Sequence, residues 1–207
     1  MNLLCSADFH GLVPTQMSYI VQQREVDAIV CGGDFSPHGW HGEGESLDDV
    51  ISFLLGLNKP IFFVQGNMDP SPDYFTHLES SYNNLNYIHL KRAKIGDYYL
   101  VGIGDFHFMP SVVMDKLESL VKKNPSKTII VSHYPPKGLV DLADDGEHAG
   151  IEEFRELIEK YQPLLFICGH IHEAAGTTKL GKTTVVNVAM KNVLAEINED
   201  EVNISLV

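Results

Sequence analysis

The pattern that organises this sequence first appears in Leu3-Leu4-Cys5-Ser6-Ala7-Asp8-Phe9-His10, where an apolar run ends in two side chains that can bind a metal ion. The same pattern returns in residues 29–34, 62–69, 129–133 and 166–172. Each apolar run is short and consists mainly of Ile, Val, Leu, Phe and Cys, which is typical of a strand buried on both faces. The polar residues that follow therefore lie at strand ends.

The carboxyl ends of parallel strands lie along one edge of a sheet, so these polar residues are expected to share one cleft. Carboxylates and imidazoles without a thiolate favour divalent first-row ions over a structural zinc site or a calcium loop. Seven ligands exceed the need of one tetrahedral ion, but two ions about 3.5–4 Å apart use them if one carboxylate bridges. The candidate ligands are Asp8, His10, Asp34, Asn67, His133, His170 and His172.

At these residues the chain resembles the calcineurin-like metallophosphoesterase superfamily, and it looks most similar to the small Icc-related phosphoesterases of archaea and bacteria. The resemblance spans residues 3–187 and implies a four-layer α/β/β/α sandwich of two mixed β-sheets. The matching motifs, in the order of the family, are Asp8-Phe9-His10, Gly33-Asp34, Gly66-Asn67-Met68-Asp69, His133 and Gly169-His170-Ile171-His172.

The resemblance also implies how two ions would be held, with Asp34 as the bridge. One ion would take Asp8, His10, Asp34 and His172, and the other Asp34, Asn67, His133 and His170. Mn, Fe, Zn, Co and Ni are the candidate metals, with Mn preferred for assays in vitro. A bridging hydroxide would then attack phosphorus, because metal-bound water loses a proton near neutral pH. Asp69 is expected to orient a ligand through a hydrogen bond, and with Asp34 and Asn67 it is a predicted catalytic residue.

Met68 departs from the family pattern, which usually has a histidine here that contacts the phosphate and helps to protonate the leaving group. A thioether cannot donate a proton. Either the substrates are diesters whose leaving group departs as a weak base, or another residue supplies the proton. His148, in Glu147-His148-Ala149-Gly150, is the catalytic candidate for this task. The equal alternative is that His148 is a loop residue that binds nothing.

Composition narrows the class of protein. The 207 residues, 44% of them hydrophobic, fit a single domain over residues 1–207. A formal charge of −13 disfavours long nucleic acid and suits a small phosphodiester or nucleotide-like substrate. Cys5, Cys31 and Cys168 lie in apolar runs as small buried hydrophobes, and no apolar stretch reaches the length of a membrane span, so a cytoplasmic protein is predicted. A homo-oligomer is compatible with these features.

Helical spacing predicts helices over residues 15–24, 46–57, 70–78, 111–123 and 151–160, with Ser46 as a helix cap. Strands are expected at residues 87–90 and 98–103, and after His172 at 174–179, 183–188, 193–197 and 202–207. The segment from Lys91 to Lys94 is predicted to be a solvated turn. Asp105 and His107 repeat the Asp-x-His spacing as a weak signal. His38, Trp40 and His41 are candidates for substrate contact, with a solvated loop as the favoured alternative.

These features predict a metal-dependent phosphoesterase, with phosphodiesters favoured over monoesters. A non-catalytic scaffold of the same fold that binds a protein partner is the alternative from a different class. The complete ligand set argues against a scaffold. Met68, which stands where the family usually has a histidine, argues for one. A phosphoprotein phosphatase requires an extended groove and accessory loops for which 207 residues leave little room.

Overall fold

The structure is a computed structural model and describes residues 1–37, 45–106 and 110–207. The predictions for His38, Trp40, His41 and His107 lie outside these residues. In chain order the elements are β1 (Asn2–Ser6), α1 (Gln16–Gln23), β2 (Ala28–Cys31), α2 (Leu47–Gly56), β3 (Ile61–Phe63), α3 (Pro72–Glu79), β4 (Leu85–Tyr87), β5 (Arg92–Ile95), β6 (Tyr98–Ile103), α4 (Pro110–Val121), β7 (Thr128–Ser132), α5 (Glu152–Tyr161), β8 (Leu165–Cys168), β9 (Gly176–Leu180), β10 (Thr183–Asn187), β11 (Val193–Asn198) and β12 (Glu201–Leu206).

The strands form two mixed sheets. The first has the order β12-β11-β1-β2-β3-β4, in which β1 to β4 are parallel and β11 pairs antiparallel with both β1 and β12. The second has the order β5-β6-β7-β8-β10-β9, in which β6, β7, β8 and β10 are parallel and the two edge strands are antiparallel. The parallel strands of both sheets are connected largely through helices, as expected for crossover connections.

Alternation along the strands explains why the two sheets pack face to face. Leu3 and Cys5 of β1 point into a buried layer between the sheets, where they meet residues such as Ile129 and Ile167 of the second sheet. Because successive side chains of a strand point to opposite faces, Leu4 lies on the other face of the first sheet.

Helices cover both outer faces. Leu4 packs with Met17 of α1 and Leu54 of α2, which cover the first sheet. On the outer face of the second sheet, Phe166 packs against Phe154 of α5, with ring centroids 5.7 Å apart. The predicted four-layer α/β/β/α sandwich is therefore confirmed.

The predicted turn from Lys91 to Lys94 is wrong, because Arg92 begins the edge strand β5, which pairs antiparallel with β6. Its charged residues are typical of an edge strand that must avoid pairing with other chains. The guanidinium of Arg92 lies over the ring of Tyr99, 3.4 Å from its centroid. The strand predicted at residues 87–90 is displaced, since β4 ends at Tyr87 and Leu90 has a left-handed backbone.

The remaining local predictions agree with the structure to within one or two residues. Ser46 caps α2 as expected: its hydroxyl accepts a hydrogen bond from the backbone N–H of Asp49, whose carboxylate accepts one from the backbone N–H of Ser46. Residues 172–174 form a short 3-10 turn, so the strand expected from residue 174 begins at Gly176.

Among the described residues, the helices are too short or too polar to cross a bilayer.

The three cysteines are buried within strands, as predicted. Burial raises the pKa of the Cys5 thiol to about 12 and also raises the pKa values of Cys31 and Cys168. A thiol with a raised pKa carries little thiolate, which is the reactive form. These side chains therefore act as small core residues.

Candidate metal centre

The seven predicted ligands all follow the carboxyl ends of parallel strands. Asp8 and His10 follow β1, Asp34 follows β2 and Asn67 follows β3, while His133 follows β7 and His170 and His172 follow β8. Because the two sheets pack face to face, the ends of β1 and β2 meet the ends of β7 and β8. The predicted convergence of distant segments is therefore present in the structure.

One group of ligand atoms consists of Asp8, His10 and His172. Nε2 of His10 lies 3.1 Å from Nε2 of His172, which in turn lies 3.4 Å from Oδ1 of Asp8. Ligand atoms bound at 2.0–2.1 Å to one ion stand about 3.0–3.4 Å apart in tetrahedral or octahedral geometry. The third separation, between Nε2 of His10 and Oδ1 of Asp8, is wider at 4.0 Å. The three atoms thus surround a space in which a divalent cation could bind.

A second group surrounds His133. Its Nε2 lies 2.7 Å from Oδ1 of Asn67 and 3.6 Å from Oδ2 of Asp34. Its Nδ1 lies 2.9 Å from the backbone carbonyl oxygen of Gly32, which can only accept a hydrogen bond. The proton is therefore assigned to Nδ1, and a ring that carries only this proton turns the lone pair of Nε2 toward the two oxygens. A cation between these acceptors would relieve their mutual repulsion.

Asp34 lies between the two groups. Its Oδ2 is 3.9 Å from Nε2 of His10 and 3.6 Å from Nε2 of His133, while its Oδ1 accepts a hydrogen bond of 2.8 Å from the backbone N–H of Met68. One carboxylate oxygen is thus fixed by the backbone and the other faces both groups. Asp8 belongs to both groups, because its carboxylate also lies close to the ligand atoms of Asp34 and His133.

His170 borders the second group. Its ring packs edge-on against His133, with centroids 4.9 Å apart, and against Tyr134, with centroids 4.7 Å apart. Its backbone N–H donates to both carboxylate oxygens of Asp8, at 3.1 and 3.0 Å. His170 therefore positions Asp8 through its backbone, whatever its ring binds.

Four of the seven candidate ligands have a left-handed backbone. The φ angles are 59° at Asp8, 47° at His10, 55° at Asp34 and 71° at His170. For residues other than glycine this conformation costs roughly 1–2 kcal/mol each. Such strain gathers at functional sites because the surrounding fold holds it in place.

Two glycines allow the backbone to approach the carboxylates closely. A Cβ on Gly66 would overlap Oδ1 of Asp34, and a Cβ on Gly169 would overlap Oδ2 of Asp8. Any larger residue would displace a ligand oxygen. The Gly-Asn and Gly-His pairs of the sequence motifs thus have a steric cause.

Burial changes the proton affinity of the cluster. It raises the pKa of Asp34 to about 7, and it lowers the pKa of His170 to about 4 with help from the neighbouring His133. Burial would also raise the pKa of Asp8, but the hydrogen bond with His172 and nearby imidazoles outweigh it and leave that pKa lowered. By contrast, the hydrogen bond to Asp8 raises the pKa of His172. A carboxylate that is costly to ionise, beside the His170 imidazole with its lowered pKa, suits a site completed by cations.

Asp69 acts on the backbone of the loops. Its Oδ1 accepts hydrogen bonds from the N–H groups of Phe35 (2.8 Å) and Ser36 (2.9 Å), and its Oδ2 accepts one from Gly66 (2.9 Å). The loop after β2 is thereby tied to the loop after β3. The expected hydrogen bond to a ligand side chain is replaced by these bonds, which position Asp34 and Asn67 indirectly.

His148 lies apart from the two ligand groups, in the loop between β7 and α5. Its Nδ1 is 2.7 Å from Oδ1 of Asp141, a buried carboxylate that sequence reasoning missed because its burial comes from tertiary packing. Sequence reasoning also missed Tyr134, whose hydroxyl donates to Oδ1 of Asp105 at 2.6 Å beside the histidine rings. The Asp-x-His spacing at Asp105 was a weak indication of metal binding. Among the described residues, the Asp105 carboxylate accepts this hydrogen bond from Tyr134.

Comparison with known proteins identifies the family. A sequence model of the calcineurin-like phosphoesterases matches residues 1–174. The chain belongs to this family. An uncharacterized protein of Methanocaldococcus jannaschii is 29% identical over 93% of this phosphoesterase and 89% of its own length. A UPF0046 protein of Caenorhabditis elegans is 34% identical over 93% of this chain and 70% of its own.

Solved structures show the same fold at low identity. TT1561 of Thermus thermophilus has a TM-score of 0.73 at 17% identity and covers 99% of this phosphoesterase and 98% of its own chain. GAP50, described as the anchor in the inner membrane complex of Plasmodium, has a TM-score of 0.69 at 14% identity and covers 100% of this chain and 84% of its own. Calcineurin-like phosphoesterases use divalent metals, and the Asp and His cluster is chemically suited to hold them. Family membership thus supports a metal-dependent phosphoesterase.

Proposed function

We propose that this phosphoesterase holds two divalent ions and hydrolyses phosphodiesters. The position of Asp34 carries the proposal, because its Oδ2 faces His10 at 3.9 Å and His133 at 3.6 Å. A carboxylate oxygen between two sets of imidazoles is suited to bridge paired cations, which in hydrolytic sites lie about 3.5–4 Å apart. His10 and His172 would serve one ion, and Asn67 and His133 the other.

The protein residues prepare the cleft for an anion. When bound, the ions would lower the pKa of a water molecule and attract the phosphoryl oxygens. Neutral imidazoles and the Asn67 carbonyl add no negative charge, so Asp8 and Asp34 leave the loaded centre positive. The bond from His133 Nδ1 to the Gly32 carbonyl fixes the ring, as outer hydrogen bonds do for metal-binding histidines.

Charge favours small diesters over monoesters and long nucleic acid. The formal charge of −13 repels a dianionic monoester more strongly than a monoanionic diester, and it repels a long polyanion most. Met68 offers no proton donor at the position where the family usually has histidine. We therefore propose small nucleotide-like phosphodiesters as the substrate class and Mn²⁺ as the metal for assays.

The test compares an aryl phosphodiester with the matching monoester in the presence of Mn²⁺. We expect the diester to be hydrolysed faster, and we expect a chelator or the Asp34→Asn substitution to reduce turnover to background. Asp97→Asn is the matched control, because Asp97 is exposed in the turn between β5 and β6. Full activity of Asp34→Asn would contradict the bridging role.

A scaffold that binds a protein partner is the second candidate, favoured by Met68 and by the fold shared with GAP50, which is described as an anchor. A scaffold would bind Mn²⁺ or remain folded without hydrolysing any diester or monoester. Hydrolysis that is lost in Asp34→Asn and kept in Asp97→Asn excludes it as the sole function.

A further inference from the structure

A second polar cluster lies in the loop between β7 and α5. Asp141 is 1% exposed, and its Oδ2 accepts hydrogen bonds from the backbone N–H groups of Gly138 (2.9 Å) and Gly150 (3.0 Å). Its Oδ1 lies 2.7 Å from Nδ1 of His148. Because an ionised carboxylate only accepts hydrogen bonds, Nδ1 of His148 is assigned the proton. The opposite nitrogen, Nε2, is left for other partners.

The half-exposed ring of His148 lines a cavity of about 630 Å³. Glu173 lines the same cavity and directly follows His172, a candidate metal ligand. The cavity therefore lies against the turn that carries part of the metal centre. Its size is sufficient for the departing group of a small ester.

Hydrogen bonds join the His148 loop to the loop of the metal ligands. The buried amide of Asn187 donates to the carbonyl oxygens of Val140 (3.1 Å) and Ile171 (2.8 Å), which precede Asp141 and His172 in the chain. The backbone N–H of Asp144 donates to Oε1 of Glu173 at 2.8 Å. The two loops thus form one hydrogen-bonded wall beside the candidate metal centre.

We propose that Asp141 and His148 act as a dyad that protonates the leaving group, with His148 as the catalytic residue and Asp141 as its positioning residue. The proposal rests on the proposed phosphodiesterase function. It answers the need created by Met68, which cannot donate a proton. The buried carboxylate holds the ring in one orientation and stabilises its protonated form, as in other Asp–His pairs.

The oxygen of a water molecule bonds to phosphorus while the bond from phosphorus to the leaving oxygen breaks, and its electron pair stays on that oxygen. The protonated His148 gives its Nε2 proton to this oxygen, which departs as an alcohol. His148 becomes neutral and keeps the Nδ1 proton that faces Asp141. The proton released by the attacking water returns to His148 through solvent.

Asp141→Asn is a clean test because the backbone fixes the orientation of the new amide. The N–H groups of Gly138 and Gly150 require an acceptor, so the amide oxygen must face them and the amide N–H₂ must face His148. The donor amide then forces the proton of the neutral ring from Nδ1 to Nε2 and disfavours the protonated ring. The hydrogen bonds that hold the loop are kept.

The kinetic test uses two diesters that differ only in the leaving group, 4-nitrophenol or an aliphatic alcohol. A general acid contributes typically about 10²–10⁴-fold, so we expect Asp141→Asn and His148→Gln to lower kcat for the alcohol ester by about 10²-fold or more. For the nitrophenyl ester we expect a loss of less than about 3-fold, because that group leaves without a proton. KM should change little. Asp145→Asn, in the same loop, is the control for charge and should behave as wild type.

Nuclear magnetic resonance of isotope-labelled histidine in the metal-free protein gives a second readout that does not depend on activity. We expect the Nδ1–H form of His148 in wild type and in Asp145→Asn, and the Nε2–H form in Asp141→Asn. An unchanged form, or an equal loss for both esters, overturns the dyad. A wild-type protein that hydrolyses no diester overturns the proposed function together with the dyad, whereas unequal losses support both.

Discussion

The bodies of the parallel strands and the loops at their carboxyl ends adjoin in sequence but differ in their physical properties. Leu3, Leu4 and Cys5 are fully buried, apolar and paired in regular ladders. Asp8 and His10 follow within a few residues, are also buried, and have a left-handed backbone. Burial of the strands therefore stabilises the fold. Part of this stabilisation offsets the cost of holding buried polar groups in the strained loops.

The largest effect on stability is expected in a strand body. Phe166 is 0% exposed and packs against Phe154, so Phe166→Ala should lower the free energy of unfolding by about 3–5 kcal/mol. Urea unfolding measures the loss. Leu206→Ala, at a side chain that is 72% exposed, is the control and should change stability by less than about 0.5 kcal/mol. Equal changes in the two variants would show that the strand bodies do not dominate stability.

A smaller effect of opposite sign is expected in the loops. Burial raises the pKa of Asp34 to about 7, so its charged form is costly in the metal-free protein. Asp34→Asn removes this cost and can still accept the hydrogen bond from the backbone N–H of Met68. We expect the free energy of unfolding of the metal-free variant to rise by about 1 kcal/mol or more, and each kcal/mol raises Tm by roughly 2–4 °C. Stabilisation by Mn²⁺ should be lost in this variant. A lower Tm for metal-free Asp34→Asn, with Asp97→Asn unchanged, would contradict this.

The third effect concerns pH. Burial raises the pKa of Asp34 to about 7 and that of Asp69 to about 6, above the ordinary value of 3.8. The folded, metal-free protein therefore binds protons more tightly than the unfolded chain. This contribution to stability is fully present below about pH 4 and is lost as the pH rises through about 6–7.

Mn²⁺ competes with the proton on Asp34, so metal binding should strengthen as that proton is lost. We expect the gain in Tm on adding Mn²⁺ to be larger at about pH 8 than at about pH 5.5. The same comparison in Asp34→Asn should show a flatter dependence. A gain that falls with rising pH would contradict the raised pKa.

The strand bodies and the convergence of the candidate ligands could be predicted from sequence because both follow local rules. An apolar run followed by Asp8 and His10 marks a strand and its end, and parallel strands bring such ends together. Asp141 could not be predicted, since its burial and its acceptance of two backbone N–H groups arise from tertiary packing. Arg92 looked like part of a solvated turn because the charges of an edge strand resemble those of a loop.

Asp69 shows a further limit of prediction from motifs. Its place after Gly66-Asn67-Met68 marked it as important, but the motif does not say what its carboxylate contacts. Three backbone N–H groups, from Phe35, Ser36 and Gly66, converge on it in the structure. Such bonds depend on how two loops meet, which spacing along one loop does not encode.

The bridging role proposed for Asp34 requires that its carboxylate contact two divalent ions at once. Anomalous diffraction from crystals grown with Mn²⁺ tests this claim. We predict two peaks about 3.5–4 Å apart, one beside His10 and His172 and the other beside Asn67 and His133, with Oδ2 of Asp34 between them. A single peak, or two peaks that do not share Asp34, would contradict the claim.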